Sequence, residues 1–131
     1  MKILIIEDDP TSLKLTSEVA QAGGHVVMLA TTADQAIYSI RSVRPDVILL
    51  DMRLPGIKGI AVARHCREEA VTRDIPIIAI TAFSVEYGKN EAMEAGCDAY
   101  IIKPINTRTL LQQIEDVATA KRKSAASIIC A

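Results

Sequence analysis

The chain has 131 residues, half of them apolar, and a formal net charge of −1. A single domain of that size buries roughly two-thirds of its unfolded surface, which excludes a disordered chain. The near-neutral balance excludes a general electrostatic grip on nucleic acid or on an anionic membrane.

The chain opens on a strand-like run, Ile3–Ile6, that leads into Glu7-Asp8-Asp9. Pro10 then stands near the start of a first helix with the stripe Leu15, Val19 and Ala22, closed by Gly23-Gly24. Val26–Leu29 is a second strand that ends at Ala30-Thr31 with nothing ionisable, which suits an edge position. Thr32 and Gln35 form a capping box ahead of Ala33, Ala36, Ile37, Ile40 and Val43. The third run, Val47–Leu50, delivers Asp51 and is followed by Met52-Arg53-Leu54-Pro55-Gly56. Ile60, Ala63 and Cys66 keep helical spacing after it, and Ile77–Ile80 runs into Thr81. Gly88 weakens a fourth helix. Tyr100–Ile102 ends at Lys103-Pro104, and Leu110, Ile114, Val117 and Ala118 mark a last helix capped near Asn106 or Thr107.

The five strand runs are apolar without alternation, the pattern of strands covered on both faces. Alternating with five helices, they define an α/β sheet, mostly or wholly parallel, as one domain over residues 1–120. Residues 121–131 (Lys-Arg-Lys, Ser-Ala-Ala-Ser, Ile-Ile-Cys-Ala) read as a C-terminal tail with room for disorder. Aromatic residues are only 3% of the chain, so the core has to be built from Ile, Val, Leu and Ala. Cys66, Cys97 and Cys130 are odd in number and widely spaced, which indicates neither a disulfide framework nor a zinc site. There is no long apolar segment behind a basic start; no membrane insertion is expected, and a cytoplasmic location follows.

Ligands of such sheets bind beyond the carboxyl ends of the strands. That rule gathers Glu7, Asp8, Asp9, Asp51, Thr81 and Lys103 on one rim. Each pair of unit charges ~4 Å apart there costs about 4 kcal/mol at an effective dielectric near 20. The acids therefore call for a cation, and oxygen-only ligands favour a hard one such as Mg2+. A lysine and a hydroxyl opposite complete the parts that phosphoryl transfer requires, with Asp51 as the nucleophile. Blander readings exist for each residue alone. The acidic triplet could complement a helix dipole, Thr81 could cap a strand end, Lys103 could be a solvated turn, and Tyr100 could be a plain core aromatic. His25 and His65 lie away from the rim and read as structural.

From Lys2 to Ala120 the chain resembles the receiver domains of two-component response regulators, closest to single-domain and hybrid-kinase receivers. The likeness is carried by Glu7-Asp8, Asp51 with Met-x-Leu-Pro-Gly, Thr81-Ala82, Lys103-Pro104 and the run Ala95-Gly96-Cys97-Asp98-Ala99-Tyr100. It implies a flavodoxin-like, doubly wound sheet with strand order 2-1-3-4-5. It also implies that Asp51 accepts phosphate from a sensor histidine kinase or a histidine phosphotransfer protein. Asp8, Asp51 and the backbone carbonyl of Arg53 would hold Mg2+, with Glu7 acting mainly through a bound water and Asp9 in a lesser role. Lys103 would pair with Asp51 and then with the phosphoryl oxygens, Thr81 would hydrogen-bond them, and Tyr100 would turn inward. The face of the fourth helix, fifth strand and fifth helix would then control a downstream protein target, with no chemistry beyond self-phosphorylation and autodephosphorylation. Lys58 departs from the acidic or small polar residue usual there in the family, and Arg53 and Phe83 occupy positions that, in the family, flank the approach of hydrolytic water.

Two rivals use the same residues differently. A receiver fold serving only as a docking module would never be phosphorylated. A haloacid-dehalogenase-like phosphatase would take Glu7 as its nucleophile in Glu7-Asp8-Asp9-Pro10-Thr11, although the chain is short for that architecture. A dinucleotide-binding module is excluded, because the first strand leads into acids rather than glycines.

Overall fold

The computed structural model describes residues 1–52, 59–81, 90 and 92–130, with side chains described as far as Lys121. Strands β1 (Lys2–Ile6), β2 (Val26–Ala30), β3 (Val47–Asp51), β4 (Ile77–Thr81) and β5 (Ala99–Ile102) form one sheet in the order β2-β1-β3-β4-β5. Every neighbouring pair is parallel. Helices α1 (Pro10–Ala22), α2 (Ala33–Val43) and α3 (Gly59–Glu68) follow the first three strands, and a C-terminal helix spans Leu110–Cys130. Residues 92–94 between β4 and β5 are also helical. This is the flavodoxin-like order that the family resemblance implies, and the parallel pairing is the one expected from the alternation of elements. The expectations placed on Arg53, Lys58, Phe83 and Gly88 lie outside the described residues.

Strand side chains alternate between the two sheet faces, and the uninterrupted apolar runs are thereby shared between two cores. On one face Leu4, Ile6, Ile48, Leu50, Ile77 and Ala79 pack with Ala36, Ile40, Val62, Ala63 and Cys66 from α2 and α3. On the other, Ile3, Ile5, Val47, Leu49, Ile78 and Ile80 pack with Ala20, Leu110, Ile114 and Ala118. Burial of one Ile or Leu contributes roughly 1.5–3 kcal/mol, whereas a helix cap contributes about 1 kcal/mol. The two cores therefore hold the fold, and the caps fix where elements begin.

The caps sit close to where the sequence places them. Thr32 accepts from the Gln35 amide at 3.2 Å. Gln35 returns the bond to Thr31 rather than to Thr32, accepting from its amide at 2.9 Å and its hydroxyl at 3.0 Å. Asn106 opens the approach to the last helix, its side chain accepting from the Arg108 amide. The apolar stripe read on α1 needs correction. The helix buries Thr16 and Ala20, with Leu13 and Val19 packed against the core, while Leu15 is 39% exposed. A threonine on the buried side hides that register, because hydrophobic spacing counts Leu15 and passes over Thr16.

A polar bracket ties the opposite end of the sheet. Arg67 donates to the carbonyls of Arg73, Ile75 and Gly96 and to Asp98 Oδ2. Asp98 also accepts from the Ile77 amide and from Lys121 Nζ. Both histidines are structural partners, as expected. His25 lies between the Met1 amino group at 3.0 Å and Glu115 at 3.2 Å, and His65 faces Glu69 at 3.3 Å. Cys66 and Cys97 are buried free thiols, and burial pushes them up to about 11 and about 12. Among the described residues, no helix is long and apolar enough to cross a membrane.

Candidate functional site

Strand register builds the site. Ile6 pairs with Leu50, Asp51 with Ile80, and Thr81 with Ile102. The ladder continues one step further at the carboxyl rim. Glu7 N donates to Ala30 O at 3.0 Å, Met52 N to Ile80 O at 3.2 Å, and Lys103 N to Thr81 O at 2.7 Å. Glu7, Asp51, Thr81 and Lys103 thus leave the sheet from backbone that is still hydrogen-bonded, which fixes their starting points. Glu7, Asp51 and Thr81 are buried, whereas Asp8 is exposed. The Lys103–Pro104 peptide bond is cis.

The side chains converge. One oxygen from each of Glu7, Asp8 and Asp51 lies within 4.8 Å of the others, a spacing that suits a metal ion. Lys103 Nζ stands 2.7 Å from Glu7 Oε1 and 3.9 Å from Asp51 Oδ2. Lys103 therefore reaches Asp51, but its short contact is with Glu7. Asp9 takes a different part: it is the N-cap of α1, accepting from the Ser12 amide at 2.9 Å. The dipole-complementing role weighed for the whole triplet belongs to this residue. That amide bond holds its carboxyl below the usual range. Tyr100 is half-buried against the α2–α3 core. Arg53 lies outside the described residues.

Electrostatics show what the rim needs. Burial pushes the Glu7 carboxyl up to about 7; a hydrogen bond to Asp51 and repulsion from it add to the rise, and Lys103 opposes it. Burial alone would lower the Lys103 ammonium. The hydrogen bond that it donates to Glu7 and the charges of Asp51, Glu7 and Asp9 outweigh burial and raise it. Three oxygen donors, one of them held partly protonated near neutrality, are a set that a hard divalent cation would relieve. The residues present fit Mg2+.

Gly59, which spacing arguments missed, is where α3 meets this site. A Cβ there would stand 2.5 Å from the Asp51 carbonyl oxygen and 2.9 Å from Met52 Cα, both backbone atoms that cannot swing aside. Gly59→Ala is expected to lower stability by about 1–3 kcal/mol, the usual cost of overpacking. A thermal melt would show it as a lower midpoint. An unchanged midpoint would mean that α3 can back away from the Asp51 strand end.

Fold and rim together define a doubly wound α/β protein whose carboxyl edge carries an acid cluster, a hydroxyl and an ammonium. The family model for the response regulator receiver domain matches residues 3–115. The polar-differentiation response regulator DivK of Brucella anthropi is 32% identical over 113 residues, covering 86% of this chain and 92% of that protein. A CheY-like receiver domain protein from Methanospirillum hungatei superposes with a TM-score of 0.86 at 28% identity, over 94% of this chain and 97% of that one. The receiver domain of a sensor histidine kinase from Pseudomonas aeruginosa superposes with a TM-score of 0.84 at 30% identity, over 90% and 97%. That structure carries a magnesium ion coordinated in its active-site cleft. The chain belongs to the response regulator receiver domain family of two-component systems.

Proposed function

We propose that Asp51 is the phosphoacceptor of this receiver and that it takes its phosphoryl group from a phosphohistidine on a sensor histidine kinase or histidine phosphotransfer protein. The convergence of oxygens from Glu7, Asp8 and Asp51, with Lys103 in ion-pair reach of Glu7 and Asp51, carries the reading. Asp51 ends a fully buried strand, so its carboxylate is held still while one of its oxygens lies beside those of Glu7 and Asp8. In the step itself, that oxygen attacks phosphorus in line with the leaving imidazole. The new O–P bond forms as the N–P bond breaks, and the imidazole leaves with the electron pair and takes up a proton.

Lys103 holds the equatorial oxygens from the β5 side, and the Thr81 hydroxyl offers them a donor from the neighbouring strand. Glu7, Asp8 and Asp51, with the carbonyl of Arg53, would hold Mg2+. When bound, that ion offsets the charge gathering on the phosphoryl oxygens. The product adds about −1.5 to −2 charge beside Thr81 and Tyr100. That is enough to bias an element whose arrangements differ by a few kcal/mol. Thr81 and Tyr100 are the switch, and the face of the fourth helix, β5 and the C-terminal helix is the output surface toward a downstream protein. The receiver proper spans residues 1–120, with 121–131 as an appendage, and it works in the cytoplasm without a turnover substrate of its own.

Incubation with acetyl phosphate and Mg2+ is expected to give one acid-stable, base-labile phosphoryl adduct per chain, mapped by mass spectrometry to Asp51. Asp51→Ala should lose it. An adduct on another residue, or none on a folded protein, would overturn the proposal; the second outcome is that of a docking module.

A further inference from the structure

Strand β2 stands at an edge of the sheet, with β1 as its neighbour. Val26 N donates to Met1 O, and Ala30 O accepts from Glu7 N. Val26, Ala30 and, by alternation, Met28 therefore turn their backbone groups toward β1, while Val27 and Leu29 turn theirs outward. The outward row is closed at both ends. The His25 amide donates to Ala20 O, and the Thr31 amide donates to Gln35 Oε1. Among the described residues, nothing pairs with the outward amides and carbonyls of Val27 and Leu29. Edge strands are ordinarily guarded by charge, proline or a bulge. From Val26 to Thr32 the chain has no charged residue and no proline, and the β1–β2 register runs without a bulge. Val26 and Leu29 are 62% and 50% exposed, so apolar surface flanks the open backbone.

We propose that this edge is a self-association surface: it takes β2 of a second copy of the chain, antiparallel, across a two-fold axis through Met28. The register follows from which groups are open. Opposite residues of an antiparallel pair share a sheet face, so only residues of the same parity can meet. Centred on Met28, Val27 meets Leu29 of the second copy and Leu29 meets Val27, and each such pair exchanges two hydrogen bonds. Centring on Val27 or on Leu29 would instead set an open residue against His25 or Thr31, whose amides are taken. The helix layers fit the same arrangement. Both α1 and α2 lie across β1 and β2, with their axes about half a strand spacing inside the edge. The two copies of α2 then stand about 10 Å apart, the distance at which helices pack. The groove beside the edge, lined by Leu29, Asp34, Gln35, Tyr38 and Ser39, is filled by the second α2. The two helices run antiparallel, which brings Asp34 in the first turn of one toward Arg41 in the last turn of the other. That charge complementarity, with a backbone row complementary to itself, selects a second copy as the occupant. The acidic rims then open in opposite directions, and β5 becomes the outer strand on both sides.

The test is sedimentation equilibrium of the full chain in EDTA, without a phosphodonor, over a range of concentrations. The wild-type protein is expected to pass from monomer toward dimer as concentration rises. Leu29→Lys, a change at a half-exposed position, should weaken association by about tenfold or more, because it puts an ammonium into both symmetry-related pairs of the ladder. Disulfide cross-linking in a Cys130→Ser background reads the register. Met28→Cys would bring two Cα atoms to about 4.5 Å in a pair without hydrogen bonds, within reach of a disulfide. Leu29→Cys would leave its two copies about 8 Å apart, beyond that reach. Covalent dimer should therefore form about tenfold faster from Met28→Cys, although Leu29 is the more exposed residue. Faster linking from Leu29→Cys would mark random collision or another register and would overturn the proposal. A chain that stays monomeric at every concentration, with no Met28→Cys link, overturns it as well. So does a dimer indifferent to Leu29→Lys, which would lie on a different face.

Discussion

Replacing Lys103 by Met is expected to slow phosphoryl uptake onto Asp51 by about 10²–10³-fold, the usual cost of removing one preorganised donor from developing charge. Methionine keeps an unbranched chain of similar reach, so the change removes the ammonium and little else. The ammonium enters from β5, three strands from Glu7, and lies within ion-pair distance of both Glu7 and Asp51. Removing it leaves the two carboxylates to repel each other without that counter-charge. A stability loss on the order of 1–2 kcal/mol should follow, smaller than for a fully buried pair because water reaches the rim. The rate is read from the time course of the acetyl phosphate adduct, and the fold from the far-ultraviolet circular dichroism spectrum. Uptake within about threefold of wild type, in a protein that keeps its spectrum, would show that Lys103 does not stabilise the transferring group. Lys103→Arg should not restore the rate fully, since a planar fork cannot occupy the position of a compact ammonium.

How far the site was legible depended on which residues declared themselves through strand ends. Asp51, Thr81 and Lys103 each close an apolar run, and parallel register then forces them to one rim, so their meeting could be read from spacing. The edge position of the second strand followed from its ending without an ionisable group, while the full strand order came from the family resemblance. What spacing could not reveal was distance across the sheet. The family resemblance pairs Lys103 with Asp51, but the shorter contact to Glu7 depends on two side chains reaching across the two intervening strands. Gly59 was invisible for a related reason: its need for hydrogen in place of a side chain arises from Asp51 and Met52 backbone, which chain order does not bring to mind. The bracket of Arg67, Asp98 and Lys121 likewise joins groups that share no pattern. On α1 the periodicity itself misled, because the buried face carries Thr16 rather than the Leu15 that hydrophobic spacing selected.

Mg2+ is expected to raise the melting midpoint, and the rise should depend on pH in a direction that Glu7 sets. Burial raises its folded pKa from the ordinary 4.5 to about 7, so the folded state binds the Glu7 proton more tightly than the unfolded chain does. The contribution is therefore fully present below about 4.5 and is lost as pH rises through about 7. In EDTA the protein should lose on the order of 1–2 kcal/mol across that window, allowing for the water that reaches the rim. A cation binds the deprotonated acids and reverses the sign. At ten times its dissociation constant it adds ~1.4 kcal/mol, or about 3–6 °C in the midpoint. Paired melts with Mg2+ and with EDTA should thus nearly coincide near the lower end of the window and separate above its upper end. In Glu7→Gln, which has no proton to release, the Mg2+-induced shift should be close to constant across the window. Coincident curves at every pH would remove the metal from the site. A Mg2+ shift of the same size at both ends of the window in wild type would instead remove Glu7 from the set of acids that the cation relieves, leaving Asp8 and Asp51 to hold it.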